Sequence, residues 1–355
     1  MGLKILHSAD WHLDSPFRSL PEQNREQLRR WQLEIPRRIA ALCSQEQCDM
    51  VLLAGDLFDS PTPSRESIEA LKAALARCAV PVFLSPGNHD YCSSTSPWLT
   101  EVWPENVHIF TGNLDYVDVP DLDCRVYGAG YRSMDCPGLL RGFRAEGDAR
   151  WCVGVLHGDP LTLSSPCCPV TAAQVRESGL DYLALGHIHS ASAFQSGDSL
   201  CAWPGCPMGR GWDETGEKGV YIVRLEQTAS VRFLPLGLPQ FHSLRAEIRT
   251  DAQAALESVL PPVESQDFFR VTLTGSGSVR EERLKKQFSY LPLLLLEDAT
   301  REKKNPWDCA GEDSLRGLYF QMLREQSNQP GQQETALLAA ELSQILLEGG
   351  EVELP

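Results

Sequence analysis

Five short apolar runs in the first two-thirds of the chain each stop at residues that bind metals. Leu3-Lys4-Ile5-Leu6-His7 leads into Asp10-Trp11-His12, and Met50-Val51-Leu52-Leu53-Ala54 into Gly55-Asp56-Leu57-Phe58-Asp59. Val80 to Leu84 leads into Gly87-Asn88-His89-Asp90, Val153 to Leu156 into His157-Gly158, and Tyr182 to Leu185 into Gly186-His187-Ile188-His189. Runs of this length with no polar alternation suit strands buried on both faces. In open α/β sheets, ligands gather beyond the C-terminal ends of the strands, so five such strands deliver their side chains to one place. Asp10 and His12 are two apart, as are His187 and His189, and in an extended segment such pairs share a face.

The residue types narrow the chemistry. Histidine and carboxylate without thiolate suit Mn, Fe, Zn or Co rather than a soft-metal or iron–sulfur site. Seven candidate ligands exceed the four of a mononuclear tetrahedral site, but they suit two ions sharing a bridging carboxylate. One histidine at a strand end is usually structural, and one Asp-Gly pair is usually a turn. The weight lies in all five motifs occurring in this order.

Between these runs lie helical patterns. Residues 24–45 carry helical spacing, and Pro36 is expected to split or kink that stretch. Ser64 opens a helix to Arg77, and a short helix occupies 172–177. Val107–Phe110 and Arg125–Tyr127 suit strands, and Val220–Val223 with Val231–Leu234 a closing hairpin. This alternation implies a layered α/β domain with mixed sheets over 1–237. Pro235 to Pro239 reads as a linker, after which a smaller α+β unit occupies 238–298. The helical segment 299–355 follows, with helices expected over Leu315–Glu325 and Thr335–Leu347.

The 355-residue chain has 42% hydrophobic residues and a formal net charge of −16. That charge argues against a large autonomous DNA-binding face, although it does not exclude a nucleic-acid substrate. No apolar run is long enough for a membrane span. The first residues lack the pattern of a signal peptide and of a myristoylation site, so a cytoplasmic protein is expected. The twelve cysteines form no CxxC pair and read as reduced thiols.

The series DxH, GDxxD, GNHD, HG and GHxH resembles the calcineurin-like metallophosphoesterase superfamily over about 1–237. More narrowly, HSADWHLDSPF, the restart after residue 238 and WPGCPMGRGWDETGEKGVY resemble the SbcD-type DNA repair exonucleases, especially their YhaO-like branch. The resemblance implies a four-layer sandwich of two mixed sheets flanked by helices, with the α+β unit as a cap. It implies two divalent ions, Mn2+ first, with Mg2+, Fe2+ or Zn2+ as alternatives. Asp10, His12 and His189 would bind the first ion, Asp56 would bridge, and Asn88, His157 and His187 would bind the second. His89 would act on the substrate, stabilising charge on the phosphate or protonating the leaving oxygen.

Other residues carry two readings. Asp90 either fixes the tautomer of His89 or caps a turn. Asp59 either orients a ligand or caps the following helix, with the cap favoured. Asp14 and Asp159 read as loop residues, His7 and His108 as core, and His242 has no ligand spacing. Arg210, in the Gly- and Pro-rich loop after the GHIH segment, is a candidate for a substrate phosphate, beside the plainer reading of a structural loop.

The resemblance makes a DNA exo- or endonuclease subunit of a repair complex the leading function. A small-molecule or nucleotide phosphodiesterase suits the acidic charge better. A third reading is a docking subunit. The apolar face Leu337, Leu338, Leu342, Ile345 and Leu346 either packs on its own domain or grips an SMC-like coiled-coil ATPase. A homodimer is a further expectation. The basic stretch Arg280–Lys286 reads by composition as a solvated helix face.

Overall fold

A computed structural model describes residues 2–300 and 305–347. Its strands are β1 (Leu3–Ser8), β2 (Met50–Leu53), β3 (Val82–Leu84), β4 (Val107–Ile109), β5 (Asp115–Val119), β6 (Cys124–Gly128), β7 (Trp151–His157), β8 (Tyr182–Gly186), β9 (Ser192–Ser196), β10 (Ser199–Trp203), β11 (Gly219–Leu225), β12 (Ala229–Pro235), β13 (Phe241–Ile248), β14 (Phe268–Gly275) and β15 (Leu293–Asp298). Its helices are α1 (Glu22–Gln45), α2 (Arg65–Leu75), α3 (Pro97–Thr100), α4 (Ala172–Glu177), α5 (Ala252–Glu257), α6 (Glu281–Gln287), α7 (Leu315–Ser327) and α8 (Gln333–Leu347).

Two six-stranded mixed sheets dominate, in the orders β12-β11-β1-β2-β3-β4 and β5-β6-β7-β8-β10-β9. In the first sheet β1 to β4 are parallel, and β11 adds antiparallel beside β1. In the second, β6, β7, β8 and β10 are parallel, flanked by antiparallel β5 and β9. The period of two sorts the first sheet's side chains between two cores. Ile5, Met50, Leu52 and Phe83 pack with Val126, Val153, Val155 and Ala184 of the second sheet. Leu6, Val51, Leu53 and Leu84 pack with Leu28, Ile35 and Ile39 of α1 and with Leu71 of α2. The far face of the second sheet is covered by Val175 of α4 and by Tyr131 and Leu140 of an irregular segment. The expected four layers are therefore present.

His7 is buried between the sheets. Its Nδ1 lies 2.7 Å from the Tyr182 hydroxyl and its Nε2 3.0 Å from Leu185 O. Burial lowers its pKa to about 3.

Pro36 neither splits nor ends α1, which runs unbroken from Glu22 to Gln45. A proline inside a helix costs about 3 kcal/mol. Burying Leu28, Ile35 and Ile39 returns roughly 1.5–3 kcal/mol each, so packing wins. Ser64 caps α2 as expected, accepting a hydrogen bond from Ser67 N. Asp14 reinforces that cap, accepting from Ser64 N and Ser67 Oγ.

The chain separates into two compact units. One comprises residues up to 244 with 261–271 and 285–295; the other comprises 245–260, 272–284 and the described residues from 296 on. Strands β13, β14 and β15 form a third sheet in that order. In α6, Leu284 is buried while Arg283 and Lys286 are exposed, as is Arg280 just before it, which fits a solvated face. Around α7 and α8, the core consists of Cys309, Phe320, Leu323 and Ala340. The apolar stripe of α8 does not pack inward: the helix buries Ala336, Ala340 and Gln344. Leu342 is half-buried, and Leu337, Leu338, Ile345 and Leu346 are exposed, as are Leu315, Leu318 and Met322 on α7. Residues 301–304 and 348–355 of the expected helical segment lie outside the described residues. Among the described residues no helix is long and apolar enough to cross a membrane.

Candidate metal centre

The five strand ends meet. Beyond β1 and β2 the backbones stay paired, with Asp10 N donating to Gly55 O at 3.0 Å and His12 N to Asp56 O at 2.9 Å. The segments are not extended, however. Asp10, His12, Asp56 and His187 all have positive φ, at 55°, 46°, 51° and 91°. Non-glycine residues rarely adopt this conformation, and it costs on the order of 1–2 kcal/mol each. The turns that aim these side chains are therefore held by the surrounding structure, not by strand periodicity.

Asp10, His12 and His189 offer donor atoms within 4.8 Å of one another, as do Asp10, Asp56 and His157. His12 Nε2 and His189 Nε2 face each other at 3.2 Å. Each ring is fixed at its other nitrogen: His12 Nδ1 lies 3.1 Å from Asp59 Oδ1, and His189 Nδ1 2.7 Å from Glu214 Oε1. The Nδ1 protons thus point at carboxylates, leaving two Nε2 lone pairs turned toward one point. Asp56 Oδ2 lies 3.7 Å from His12 Nε2 and 3.4 Å from His157 Nε2, between the two groups. Asn88 Oδ1 lies 2.9 Å from His157 Nε2 and 3.2 Å from His187 Nδ1. His157 is fixed from behind by Ala54 O, 2.8 Å from its Nδ1. Gly55, at φ 85°, keeps that space open, because a Cβ there would stand 2.7 Å from His157 Nδ1.

This is a cluster of acceptors facing one another. Asp10 Oδ2 is buried and has no hydrogen-bond partner. A buried anionic oxygen without a donor is costly, and a cation is the natural partner. The carboxylates also draw positive charge into this space. Burial disfavours charge on His157, but Asp56 and Asp10 outweigh it and push its pKa up to about 10. Burial likewise opposes ionisation of Asp56, yet His157 and His12 hold its carboxyl well below the usual range. The residues present therefore fit divalent ions.

Residues 3–191 match the family model described as calcineurin-like phosphoesterase. The chain belongs to the calcineurin-like phosphoesterase family. Its fold uses a dinuclear metal site, and the Asp and His groups here are able to hold metal. The chain is similar to the uncharacterized metallophosphoesterase YhaO of Bacillus subtilis strain 168, at 34% identity over 239 residues. That match covers 63% of this chain and 57% of the relative, little more than half its length. Among solved structures, a dimetal phosphatase from Danio rerio is 13% identical with a TM-score of 0.44, over 65% of this chain and 96% of that one. A novel archaeal phosphodiesterase is 17% identical with a TM-score of 0.35, over 65% of this chain and 100% of that one.

At Asp90 and Arg210 the hydrogen bonds favour the plainer of the two readings. Asp90 does not touch His89. Its carboxylate is buried and accepts from Gly87 N at 2.7 Å, Leu57 N at 2.9 Å and Phe58 N at 3.3 Å, so it pins the two loops together. Burial and the neighbouring Asp56 push its pKa up to about 7. The partner of His89 Nδ1 is Asp59 O, at 3.3 Å. Arg210 is likewise engaged with protein carboxylates: Nη2 donates to Glu214 Oε1 at 2.7 Å and Nη1 to Asp59 Oδ1 at 3.4 Å. Asp59 takes its orienting reading, against the favoured cap. Sequence reasoning gave Glu214 no role. Its only signal is the Arg210–Glu214 spacing of four residues, which does not point to His189. Asp159 binds its own loop, accepting from Leu161 N and Thr162 N.

Proposed function

We propose that this phosphoesterase cleaves phosphodiesters with two divalent ions, Mn2+ first, and that its substrate is DNA. The observation that carries the reading is the buried cluster of facing acceptors assembled from both sheets. Asp10, His12 and His189 would hold one ion, Asn88, His157 and His187 the other, with Asp56 between them. When bound, such ions polarise a phosphate oxygen and lower the pKa of water. The chain's own residues do the rest. Asp59 and Glu214 present the Nε2 atoms of His12 and His189. His89 N donates to Asp56 Oδ1 at 2.8 Å, tying the substrate-facing residue to the bridging one. With Nδ1 bonded to Asp59 O, His89 offers Nε2 to the phosphate or the departing oxygen.

The test uses Mn2+-loaded full-length protein and linear duplex DNA. His89→Ala is expected to lower kcat by roughly 10²–10⁴-fold while both ions stay bound. An unchanged rate would refute the role of His89, and native protein holding one ion or none would refute the dinuclear site. The substrate class rests on the SbcD-like sequence resemblance, with 238–298 as the cap. The net charge of −16 favours the second reading, a small phosphodiester or nucleotide. Turnover of cyclic or small phosphodiesters with no cleavage of duplex ends would establish it.

A cytoplasmic location and a coiled-coil ATPase partner of the SMC type complete the proposal. The exposed leucines of α7 and α8 support the partner, since apolar faces of this kind suit helix-in-groove recognition. Leu318→Asp with Leu346→Asp should abolish co-purification with that ATPase and leave turnover intact. Self-association lost in the same variant would indicate a homodimer instead.

A further inference from the structure

The segment between β10 and β11 is tied to the metal centre at several points. Lys218 Nζ donates to His189 O at 3.2 Å, and Cys206 Sγ lies 3.6 Å from the same oxygen. Glu214, 7% exposed, is surrounded by donors. Oε1 receives His189 Nδ1 at 2.7 Å and Arg210 Nη2 at 2.7 Å, and Oε2 receives Arg210 N at 2.8 Å. Across the site, Asp59 Oδ1 receives His12 Nδ1 at 3.1 Å, Ser15 Oγ at 3.2 Å and Arg210 Nη1 at 3.4 Å. One guanidinium thus joins the two carboxylates that orient the two histidines whose Nε2 atoms face each other. A planar fork can hold two carboxylates at a fixed angle, which an ammonium cannot. The Asn88, His157 and His187 group contains no member of this network; its fixed point is Ala54 O.

We propose that Arg210, Glu214 and Asp59 act as positioning residues for a single ion, the one held by Asp10, His12 and His189, so that opening this lock releases that ion and spares the other. The proposal rests on the dinuclear reading above. Both histidines must present Nε2 at once: His12 Nδ1 faces Asp59, and His189 Nδ1 faces Glu214 Oε1 at 2.7 Å with Arg210 Nη2 3.0 Å away, so the Glu214 carboxylate must hold the Nδ1 proton against the guanidinium. Losing Arg210 leaves two carboxylates free to turn away or to repel each other. Partners of this kind are worth roughly 10–100-fold in metal affinity.

The experiment counts ions. Metal-free full-length protein is reloaded with Mn2+, dialysed against graded chelator, and its manganese measured per chain. Wild type is expected to hold two, and fewer would overturn the dinuclear reading before any variant is compared. Arg210→Met and Glu214→Ala should lose one ion at roughly 10–100-fold lower chelator concentration than wild type, and keep the second at the wild-type concentration. Glu214→Gln keeps an acceptor for His189 Nδ1 and should recover most of the loss, whereas Glu214→Leu fills the space with no acceptor and should lose the ion as early as Glu214→Ala; recovery by Leu as well would reduce Glu214 to a space-filling role and overturn its part in the proposal. Melting of the metal-free proteins reports folding separately. Two ions lost together, or neither lost early, in the folded Arg210→Met protein overturns the proposal.

Discussion

His7 joins the two sheets as a neutral ring, and this makes acid sensitivity measurable at one residue. Folding lowers its pKa from 6.5 to about 3. Between those values the unfolded chain binds a proton that the folded one does not, so stability is full above pH 6.5 and lost as the pH falls toward 3. Each pKa unit is worth about 1.4 kcal/mol, so the whole shift amounts to about 5 kcal/mol. From pH 7 to pH 5 the loss from this residue is about 2 kcal/mol. In His7→Phe the ring volume remains, but Tyr182 Oη and Leu185 O lose their partner, a cost of about 1–3 kcal/mol at neutral pH. Urea unfolding followed by tryptophan fluorescence, at half-unit steps from pH 7 to 5, should show wild type the more stable at pH 7. The gap should then shrink by about 2 kcal/mol at pH 5, as only wild type carries the His7 penalty. Other titrating groups are common to both proteins and cancel in the difference. Parallel curves would refute the neutral, solvent-free placement of His7.

Three further outcomes follow from the metal centre. Asp90→Asn replaces a three-N–H acceptor with a group carrying one oxygen, and should lower stability by about 1–3 kcal/mol with turnover per folded molecule retained. Full stability with lost turnover would restore Asp90 to a role on His89. Gly87→Ala places a Cβ against the Asp56 carboxylate and 2.7 Å from Asp56 N, so manganese content should fall without loss of secondary structure by circular dichroism. Retention of both ions would show that the loop yields. Mn2+ at about 100 times its Kd should raise stability by about 2.7 kcal/mol, seen as a higher Tm that chelator reverses; an unchanged Tm would mean the ions bind folded and unfolded chain alike.

Most strands, and the Asp, His and Asn side chains that cluster beyond them, were readable because their signals are local. Met50–Leu53 is apolar at every position and buried at every position, and the motif residues follow directly. Three strands escaped: the antiparallel edges β5 and β9, whose exposed faces alternate polar and apolar weakly, as in Ser192–Ser196, and the internal β10, Ser199–Trp203, whose short run is buried at every position but begins with a serine and ends in the Gly- and Pro-rich loop. Asp59 and Glu214 are 47 and 25 residues from the histidines they orient, a relation that no local spacing encodes. The same holds for Asp90, whose partners at Leu57 and Phe58 come from the preceding strand's loop. The left-handed backbone at Asp10, His12 and Asp56 was also unreadable, because the pairing between the two segments imposes it. Pro36 does not split α1, for the converse reason: a local rule was outweighed by packing of the face on which Pro36 is itself buried with Ile35, Ile39 and Ala40.

The placement of β11 sets an order on how the protein matures. The strand that fills the position beside β1 is made more than two hundred residues after it. A growing chain leaves the ribosome N-terminus first. While residues 3–109 emerge, β1 therefore has an open edge where β11 will later pair. Asp10, His12, Asp56 and Asn88 are already synthesised by then, but His157, His187 and His189 are not. On the proposed assignment, an ion met at that stage finds part of the set and no Glu214. On the ligand set proposed above, all seven side chains and the Glu214 carboxylate behind His189 exist together only once the final third of residues 1–244 has been translated.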